Sequence, residues 1–417
     1  MNGFESQGDL KRKRGRGKWI ALVVVLILLT AVGSFYAGTV AAFTIPRLSG
    51  VNSNYKGLED YKNVEGFNKL FQIREALYKY YDGPIDDNVL VEGAIKGMTS
   101  SLNDPYTVFM NKKEFYDFSE KNEGEYVGLG IQVGVKDDKI TVILPFEGSP
   151  ADKAGILPGD VILKVNDTDV TGKDIDKAVS IMKGNDKVEV KLSLFRENKG
   201  NFDVAVKRDT IKLVTVKGEM MDNNIGYISI SMFDEHTTDN FNKTLKNLKS
   251  KGMKALILDL RDNPGGLLKS SVEISSNFIP KNKVIVSTID KNKKEERLNS
   301  LGGNAQGLPL VVLINEYTAS ASEIVSGAIR DYKVGTLVGT KTFGKGVVQS
   351  VLSGSDGTAL KVTISKYYTP NGENIHHTGI APDIEVKYPD ELREKIYKRS
   401  DDPQFNKALE VIKEKLK

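Results

Sequence analysis

Apolar and polar positions follow different rhythms along this chain of 417 residues, and each rhythm predicts a different kind of element. Over residues 57–118, apolar residues recur at helical spacing, which predicts a helical region. Over 119–208, short strand-like runs are separated by Gly, Pro, Asn and Asp, which is typical of a small β-rich domain. Over 209–388, continuous apolar strands alternate with helices, which predicts an α/β layer with mainly parallel core strands. The last segment, 389–417, is charged and helical. The pattern as a whole predicts an α+β multidomain protein.

The N-terminal pattern predicts a membrane anchor. Residues 19–43 form a run without charge that is apolar and long enough to span a bilayer as a helix. The basic segment 1–18 precedes it, which predicts that the N-terminus stays in the cytoplasm and that the rest lies outside, after a short linker at 44–56. A cleaved signal peptide is the alternative, since small residues follow the run, but the run exceeds the usual length of a signal core.

Composition removes several classes of function. The net charge is +4, and six basic residues against Glu5 and Asp9 in segment 1–18 account for all of it. A basic surface for nucleic acid is therefore not predicted. The chain has no cysteine and three histidines, which excludes thiolate chemistry and leaves little for a histidine-rich metal site. We expect neither a metal nor a cofactor.

A phosphate-loop pattern near the C-terminal third fails at its last position. Gly339 to Lys345 reads G-x-x-x-x-G-K, but Gly346 stands where a hydroxyl must bind magnesium. The residues that follow have a strand pattern, whereas a phosphate loop opens a helix. A nucleotide-dependent enzyme is accordingly disfavoured, and Lys345 needs another explanation.

Ser320 stands between an apolar strand and an amphipathic helix, in the stretch "NEYTASASEIV". A strand-to-helix turn exposes such a side chain at the end of a sheet and leaves backbone amides for an oxyanion. The simpler interpretation is a capping box, Ser320-x-x-Glu323, with no catalysis. Ser322 is a competing nucleophile on the same turn.

A second glycine-rich turn, "NPGG" at 263–266, also ends an apolar strand. Its glycines allow the backbone to approach a ligand and to point amides at it. Together with Ser320 and Lys345, this turn would supply an oxyanion hole, a nucleophile and a base. Lysine acts as a base near neutral pH only when burial lowers its pKa, and the apolar residues beside Lys345 favour burial. His236, His376 and His377 remain alternative bases.

The combination of motifs resembles a known family, the carboxy-terminal processing proteases, which are membrane or periplasmic serine peptidases with a Ser/Lys pair. The resemblance covers roughly residues 60–417. It rests on the order of five stretches: "GAIKGMTSSLNDPYTVFM", "GLGI…SPADKAGILPGDVILKVN", "LDLRDNPGG", "TASASEIVSGAIRDY" and "GTKTFGKGVVQ". The implied core fold resembles the layered α/β arrangement of crotonases and Clp proteases.

The resemblance implies roles for particular residues. Ser320 matches the nucleophile, Lys345 its base and Gln349 the glutamine that orients the lysine. The amides of Gly266 and Ala321 match the oxyanion hole.

The resemblance also names the β-rich domain as a PDZ domain. Its carboxylate-binding loop comprises Gly128, Leu129, Gly130 and Ile131, whose amides would capture the C-terminus of a substrate. Further along, Leu157, Val161, Ile162 and Leu163 are expected to pack in the domain core.

These inferences predict a membrane-anchored, extracytoplasmic serine endopeptidase that recognises protein C-termini. The alternative is a non-catalytic, membrane-anchored PDZ receptor or scaffold. Similar proteins often form homodimers, so we expect a homodimer. The amphipathic N-terminal helices and the tail fit packing on a partner as well as packing on the core.

Overall fold

The computed structural model describes residues 64–393, 395 and 397–417. The predicted basic segment 1–18, anchor 19–43 and linker 44–56 lie outside this range. Within the described ranges, no helix has the length and apolar character needed to cross a membrane.

The described chain forms two compact units. One, here called the core unit, contains residues 64–118, 216–233 and the part of the chain that follows residue 236. The other, here called the inserted unit, contains residues 119–215 and 234–236.

The core unit begins with helices and continues as alternating strands and helices. Its helices are α1 (Val64–Tyr80), α2 (Asp87–Ser100), α3 (Lys112–Glu123, which continues into the inserted unit), α6 (Thr237–Ser250), α7 (Leu268–Ser276), α8 (Ala321–Asp331), α9 (Asp390–Arg393) and α10 (Pro403–Lys415). Its strands are β1 (Val108–Met110), β10 (Val216–Met221), β11 (Ile225–Ile230), β12 (Ala255–Asp259), β13 (Val284–Asp290), β14 (Glu295–Asn299), β15 (Leu310–Ile314), β16 (Thr336–Gly339), β17 (Val347–Ser353), β18 (Ala359–Tyr368) and β19 (Ile384–Glu385).

A six-stranded sheet with the order β10-β11-β12-β15-β16-β19 organises the core unit. The pairs from β11 to β19 are parallel, and only β10 joins in antiparallel fashion. All residues of β12 and β15 are buried, as expected for strands covered on both faces. This confirms the predicted α/β layer with mainly parallel strands.

Helices cover both faces of the parallel sheet. Residues of α6, α7 and α8 share one hydrophobic cluster with alternate residues of β12 and β15. On the opposite face, Phe405, Ala408 and Ile412 of α10 pack against the remaining alternate residues. The C-terminal tail therefore packs on its own chain, which was one of the two placements that its apolar stripe allowed.

A second, antiparallel sheet has the order β1-β18-β13-β14, with β17 also paired to β18. The segment after Lys345 enters this sheet as β17, so no helix follows the G-x-x-x-x-G-K pattern. A phosphate loop needs the helix N-terminus, so the fold agrees with the rejection of nucleotide binding.

The inserted unit has its own sheet and hydrophobic core. Its helices are α4 (Pro150–Lys153) and α5 (Ile175–Met182), and its strands are β2 (Glu125–Gly128), β3 (Ile131–Lys136), β4 (Lys139–Pro145), β5 (Val161–Val165), β6 (Thr168–Asp169), β7 (Glu189–Arg196), β8 (Gly200–Lys207) and β9 (Asp209–Lys212). The main sheet has the order β3-β4-β5-β7-β8, with β6 beside β5, so β3 is an edge strand. Ile162 is buried as predicted, and Val161 and Leu163 are half-buried. The prediction that Leu157 packs in the core is wrong, because its side chain is 48% exposed.

Candidate active site

The NPGG turn and the turn that carries Ser320 lie at the same end of two neighbouring parallel strands. β12 ends before the NPGG turn, and β15 ends before the turn that carries Ser320. Asn263, which is fully buried, joins the two turns. Its backbone carbonyl accepts bonds from the Ala319 amide and the Ser322 hydroxyl, each at 3.0 Å.

Ser320 has a strained backbone immediately before α8. Its φ is 54° and its ψ is −116°, a region that side chains with a Cβ rarely adopt. Such strain costs about 1–3 kcal/mol and persists only where surrounding bonds impose it. Here the Tyr367 hydroxyl donates to the Ser320 carbonyl at 3.2 Å, and the Ser320 amide donates to the Glu323 carboxylate at 2.8 Å.

Glu323 holds the serine turn and the lysine turn together. One of its carboxylate oxygens accepts the amides of Ser320 at 2.8 Å and Lys345 at 2.9 Å. The other accepts the Gly344 amide at 2.8 Å and the Thr342 hydroxyl at 2.5 Å. Burial raises the pKa of Glu323, and these four donors oppose that rise. Glu323 is thus more than the cap of a helix, since it fixes two loops that are distant in sequence.

Lys345 is fully buried, as its apolar neighbours predicted. Its Nζ lies 4.7 Å from the centroid of the Tyr106 ring. Burial lowers the pKa of Lys345 well below its ordinary value, and the positive charge of Lys361 lowers it further. The carboxylates of Glu323 and Asp104 act in the opposite direction. An amine in this environment loses its proton at a pH at which an exposed lysine keeps it.

Gln349 is buried on β17, and its amide donates to Thr363 Oγ1 of β18 at 3.3 Å. The Thr363 amide in turn donates to Thr107 Oγ1 at 3.0 Å, and the Thr107 hydroxyl donates to Asp104 at 2.6 Å. The predicted orienting residue therefore belongs to a polar chain that reaches the loop before β1.

The predicted oxyanion donors are the backbone amides of Gly266 and Ala321. The Phe233 amide donates to the Gly265 carbonyl and the Leu267 amide donates to the Phe233 carbonyl, at 2.8 and 2.7 Å. In this bridge, the N–H of Gly266 points away from Phe233. Ala321 is the first residue of α8, where an amide has no acceptor within the helix.

The close approach of the two turns requires glycine at 265. A Cβ placed there would lie 2.8 Å from the Cβ of Ser320 and 2.9 Å from the Ala321 amide nitrogen. The glycine thus allows the two amide-bearing turns to meet.

The competing residues have other surroundings. The Ser322 hydroxyl is fully buried and donates to the Asn263 carbonyl. His236 belongs to the inserted unit, where its Nε2 lies 3.5 Å from Glu125. The rings of His376 and His377 lie with centroids 3.8 Å apart and planes tilted by 38°, and the Gly346 amide donates to His376 Nδ1 at 3.4 Å. Burial lowers the pKa of His376.

The predicted carboxylate-binding loop lies between β2 and β3 of the inserted unit. Gly128 ends β2, Leu129 is buried, Gly130 has a φ of 76°, and Ile131 begins the edge strand β3. The Leu129 and Gly130 carbonyls accept amides of Ala151 and Phe146, at 3.0 and 2.8 Å. The loop is thus anchored through its carbonyls, beside an edge strand on which an extended peptide could add.

Sequence reasoning gave no role to several residues around Lys345. Asp104, Tyr106 and Thr107 come from the stretch "NDPYT", which contributed to the family resemblance but had no assigned role. Lys361 and Thr363 come from a strand far along the chain. The one available signal was a lysine at an inward position of "ALKVTIS", a place where charged residues are rare.

Comparison with known proteins identifies the family and the domains of the chain. The sequence matches peptidase family S41 over residues 224–386, a PDZ domain over 145–194, and the N-terminal domain of the activating protease CtpB over 28–114. It is 41% identical to the carboxy-terminal processing protease CtpA of Bacillus subtilis (strain 168) over 341 residues, which cover 80% of this chain and 73% of the relative. The chain belongs to peptidase family S41, among the carboxy-terminal processing serine proteases.

Other similar proteins support the same family assignment. Carboxy-terminal processing protease CtpB of the same organism is 35% identical, covering 89% of this chain and 78% of the relative. The crystal structure of a putative S41 protease from Bacteroides fragilis NCTC 9343 matches with a TM-score of 0.51 and 19% identity, over 80% of this chain and 91% of that one, which is a likeness of fold. Family membership favours the peptidase over the non-catalytic receptor.

Proposed function

We propose that Ser320 and Lys345 are the catalytic pair of this S41 peptidase. The observation that carries the proposal is the buried carboxylate of Glu323, which binds the Ser320 and Lys345 amides with a single oxygen. It brings a strained serine turn against a turn whose lysine is fully buried and has a lowered pKa. A neutral amine beside a serine is the arrangement that nucleophilic catalysis without histidine requires.

The chemistry then follows in two stages. The neutral Lys345 amine takes the proton of the Ser320 hydroxyl while Oγ bonds to the scissile carbonyl carbon, and the carbonyl electrons move onto its oxygen. When the tetrahedral intermediate collapses, the C–N bond breaks, and the leaving amine takes the proton from Lys345. Water repeats the attack on the acyl-enzyme, with Lys345 again as base, and releases the new C-terminus.

The remaining predicted residues support these steps. The amides of Gly266 and Ala321 donate to the oxyanion, where preorganised donors are most effective. Gln349 orients Lys345 from β17, and its own amide is steadied by Thr363.

The inserted unit selects the substrate in this proposal. Amides of the loop Gly128–Ile131 bind the terminal carboxylate, and the substrate backbone pairs with the edge strand β3. The chemistry recognised is a free C-terminus on an extended chain, which agrees with the PDZ match.

Location and assembly complete the proposal. The apolar run 19–43 anchors the chain in the cell membrane with its N-terminus in the cytoplasm and the peptidase outside. The chain forms a homodimer through its N-terminal helices, which expose large apolar side chains such as Phe71 and Val89. Light scattering of the detergent-solubilised protein, with Phe71→Ser beside wild type, tests this: a wild-type mass of one chain plus detergent contradicts the dimer.

Cleavage of an unstructured protein by the full-length chain in detergent tests the catalytic pair. Wild type is compared with Ser320→Ala, Lys345→Ala and Ser322→Ala, with folding followed by circular dichroism. We expect the first two to lose at least about a thousandfold in rate and the third to keep cleaving if it remains folded. Cleavage by folded Lys345→Ala at the wild-type rate contradicts the role of Lys345 as base. Absence of cleavage by wild type favours the alternative, a non-catalytic receptor.

Substrate selection has its own test. Two versions of one peptide, with a free or an amidated C-terminus, are offered to wild type. We expect the free acid to have the higher kcat/KM, because amidation removes the charge that the loop amides bind. Equal values would remove carboxylate recognition from the proposal and leave the catalytic pair untouched.

A further inference from the structure

Lys361 is a second buried lysine in the core unit, and the proposed mechanism does not use it. Its side chain is 1% exposed, and it lies on β18 with β1 and β17 on either side, paired in register with Val108 and Val351. Its Nζ lies 5.8 Å from the centroid of the Phe118 ring. Lysine is rarely buried fully, so its presence in the middle of this sheet calls for a physical reason.

Lys361 shares a face of the sheet with the proposed site. Gln349 pairs with Thr363, and the next pair on the same face joins Val351 with Lys361. Residues two apart on a strand point the same way, so Lys361 lies about 7 Å along β18 from the residue that binds the Gln349 amide.

The same two segments also surround Lys345. Tyr106 contacts the Lys345 amine, and Val108, two residues later, pairs with Lys361. Lys345 itself comes two residues before β17, the strand that carries Gln349 and Val351. Both amines therefore occupy one buried region between the segment 106–108 and the segment 345–351.

Charge in this region acts on both amines. Lys361 is the positive group that lowers the pKa of Lys345, and burial lowers the pKa of Lys361 to about 8. The Asp104 carboxylate raises the pKa of both lysines, and the Glu323 carboxylate raises that of Lys345. The titratable groups that face this region from its surrounding elements are Asp104 and Tyr106 before β1, Glu323 on α8, Lys361 and Tyr367 on β18, and His376.

We propose that Lys361 is a positioning residue that acts on the catalytic base through its charge, because it is held buried on the Gln349 face in the region that also contains the Lys345 amine. The inference rests on the proposed role of Lys345 as base. During acylation, Lys345 becomes an ammonium in the buried region that already contains the Lys361 ammonium. The repulsion makes it a stronger acid, so it returns the proton to the leaving amine more readily.

Phosphonylation by a fluorophosphonate isolates the step in which Lys361 would act. Ser320 Oγ bonds to phosphorus, fluoride leaves, and the serine proton passes to Lys345, so the second-order rate constant follows the neutral fraction of the base. The rate is measured as a function of pH on the full-length protein in detergent, for wild type, Lys361→Met and Lys361→Arg. The matched control is Lys366→Met, an exposed lysine of the same strand.

The neutral variant separates a charge effect from a packing effect. For Lys361→Met, we expect the midpoint of the curve of phosphonylation rate against pH to move up by about one pH unit. At pH values below both midpoints, the rate of this variant is then about tenfold lower than that of wild type. The plateau of the rate at high pH stays near that of wild type. Lys366→Met keeps the wild-type midpoint. An unchanged midpoint with a rate lowered equally at every pH overturns the inference, since it shows a structural role only.

The charged variant covers the case in which Lys361→Met does not fold. Arginine keeps its charge over the whole range, so Lys361→Arg is expected to have a midpoint at or below that of wild type. A higher midpoint overturns the inference. Two outcomes would contradict the proposed function itself: a label that mass spectrometry finds on a residue other than Ser320, or a Lys345→Ala variant whose labelling rate depends on pH as that of wild type does. An intact wild-type curve with an unmoved Lys361→Met midpoint defeats the inference alone.

Discussion

At the scale of single residues, the site depends on polar groups that the fold withdraws from water. Lys345 and Glu323 are both fully buried. Burial lowers the pKa of Lys345 and raises the pKa of Glu323, and both shifts favour the neutral form of the group. Four donors offset the burial of the Glu323 carboxylate, and burial of Lys345 costs stability because its charged form loses hydration. Such a cost is common where a group must react and not only pack.

Replacement of Lys345 by Met is expected to abolish cleavage and to stabilise the fold. The folded-state pKa of Lys345 is lower than its unfolded value of 10.5, so the unfolded chain binds more protons between the two values. The penalty that lysine imposes is therefore complete at acid pH and fades as pH rises toward 10.5. We expect Lys345→Met to unfold at a higher Tm than wild type, with the largest difference at the lowest pH.

Thermal unfolding followed by circular dichroism over a series of pH values checks this expectation. Lys366→Met serves as the control, because that lysine is exposed and its removal is expected to leave Tm nearly unchanged at every pH. A Tm difference for Lys345→Met that grows with rising pH would contradict the assigned direction of the pKa shift.

At the scale of elements, the ends of β12 and β15 bring two turns into contact. The NPGG turn passes so close to Phe233 and Ser320 that two consecutive glycines have positive φ, 103° at Gly265 and 136° at Gly266. Asn263 then bonds backbone groups on both sides: its side-chain amide donates to the Ile230 carbonyl at 2.8 Å, and its carbonyl accepts the Ala319 amide. The predicted oxyanion amides of Gly266 and Ala321 are thus positioned by backbone contacts together with the buried side chain of Asn263, whose Oδ1 accepts the Gly265 amide at 2.8 Å.

Gly266→Ala is expected to remove activity and to lower stability. A Cβ at this position would lie 2.1 Å from the Phe233 carbonyl oxygen, in a backbone conformation that alanine rarely adopts. The bridge to Phe233 must then shift and carry the Gly266 amide out of place. We expect at least about a hundredfold loss of the phosphonylation rate, the scale seen when one oxyanion donor is lost.

The control for this variant is Gly252→Ala, at the end of α6. Gly252 also has a positive φ, 87°, but a Cβ there meets no atom within 4 Å. It is expected to lose about 1 kcal/mol of stability and no activity. If Gly266→Ala reacts as fast as Gly252→Ala, the Gly266 amide has no part in the reaction.

At the scale of the whole molecule, the C-terminal helix completes the core unit. Arg261, just after β12, donates to Asp259 and, at 2.7 Å, to Asp402, the residue that caps α10. Both carboxylates are buried, and they raise the pKa of Arg261, whose side chain is 10% exposed, against the effect of its partial burial. The ion pairs thus tie the tail to the strand that leads to the NPGG turn.

Arg261→Met is expected to destabilise the protein by about 3 kcal/mol, because it leaves two buried carboxylates without their partner. Since the bond to Asp402 also steadies α10, we expect faster amide hydrogen exchange in residues 403–415. Arg297→Met, which breaks an exposed pair with Glu295, is expected to change neither measurement. Equal unfolding free energies for the two variants would show that the buried pair does not hold the tail.

The sequence by itself determined the class of the fold and named the candidate residues of the site. Continuous apolar runs such as 255–259 and 310–314 require burial on both faces, which dictates a parallel sheet covered by helices. Ser320 and the NPGG turn follow such strands directly, so their place at one sheet edge was predictable. The pattern of "GVVQSVLSG" likewise predicted that a strand follows Lys345.

Only the tertiary structure decided how these parts are held and tuned. Glu323, Asp104 and Lys361 act through bonds and charges between segments that lie up to 257 residues apart in the chain, and no local pattern encodes such contacts. Leu157 was misplaced for the same reason, since its exposure depends on what packs over it and not on its own apolarity. Periodicity specifies which face of an element is buried, whereas the pKa of a buried lysine depends on the particular charges that folding brings beside it.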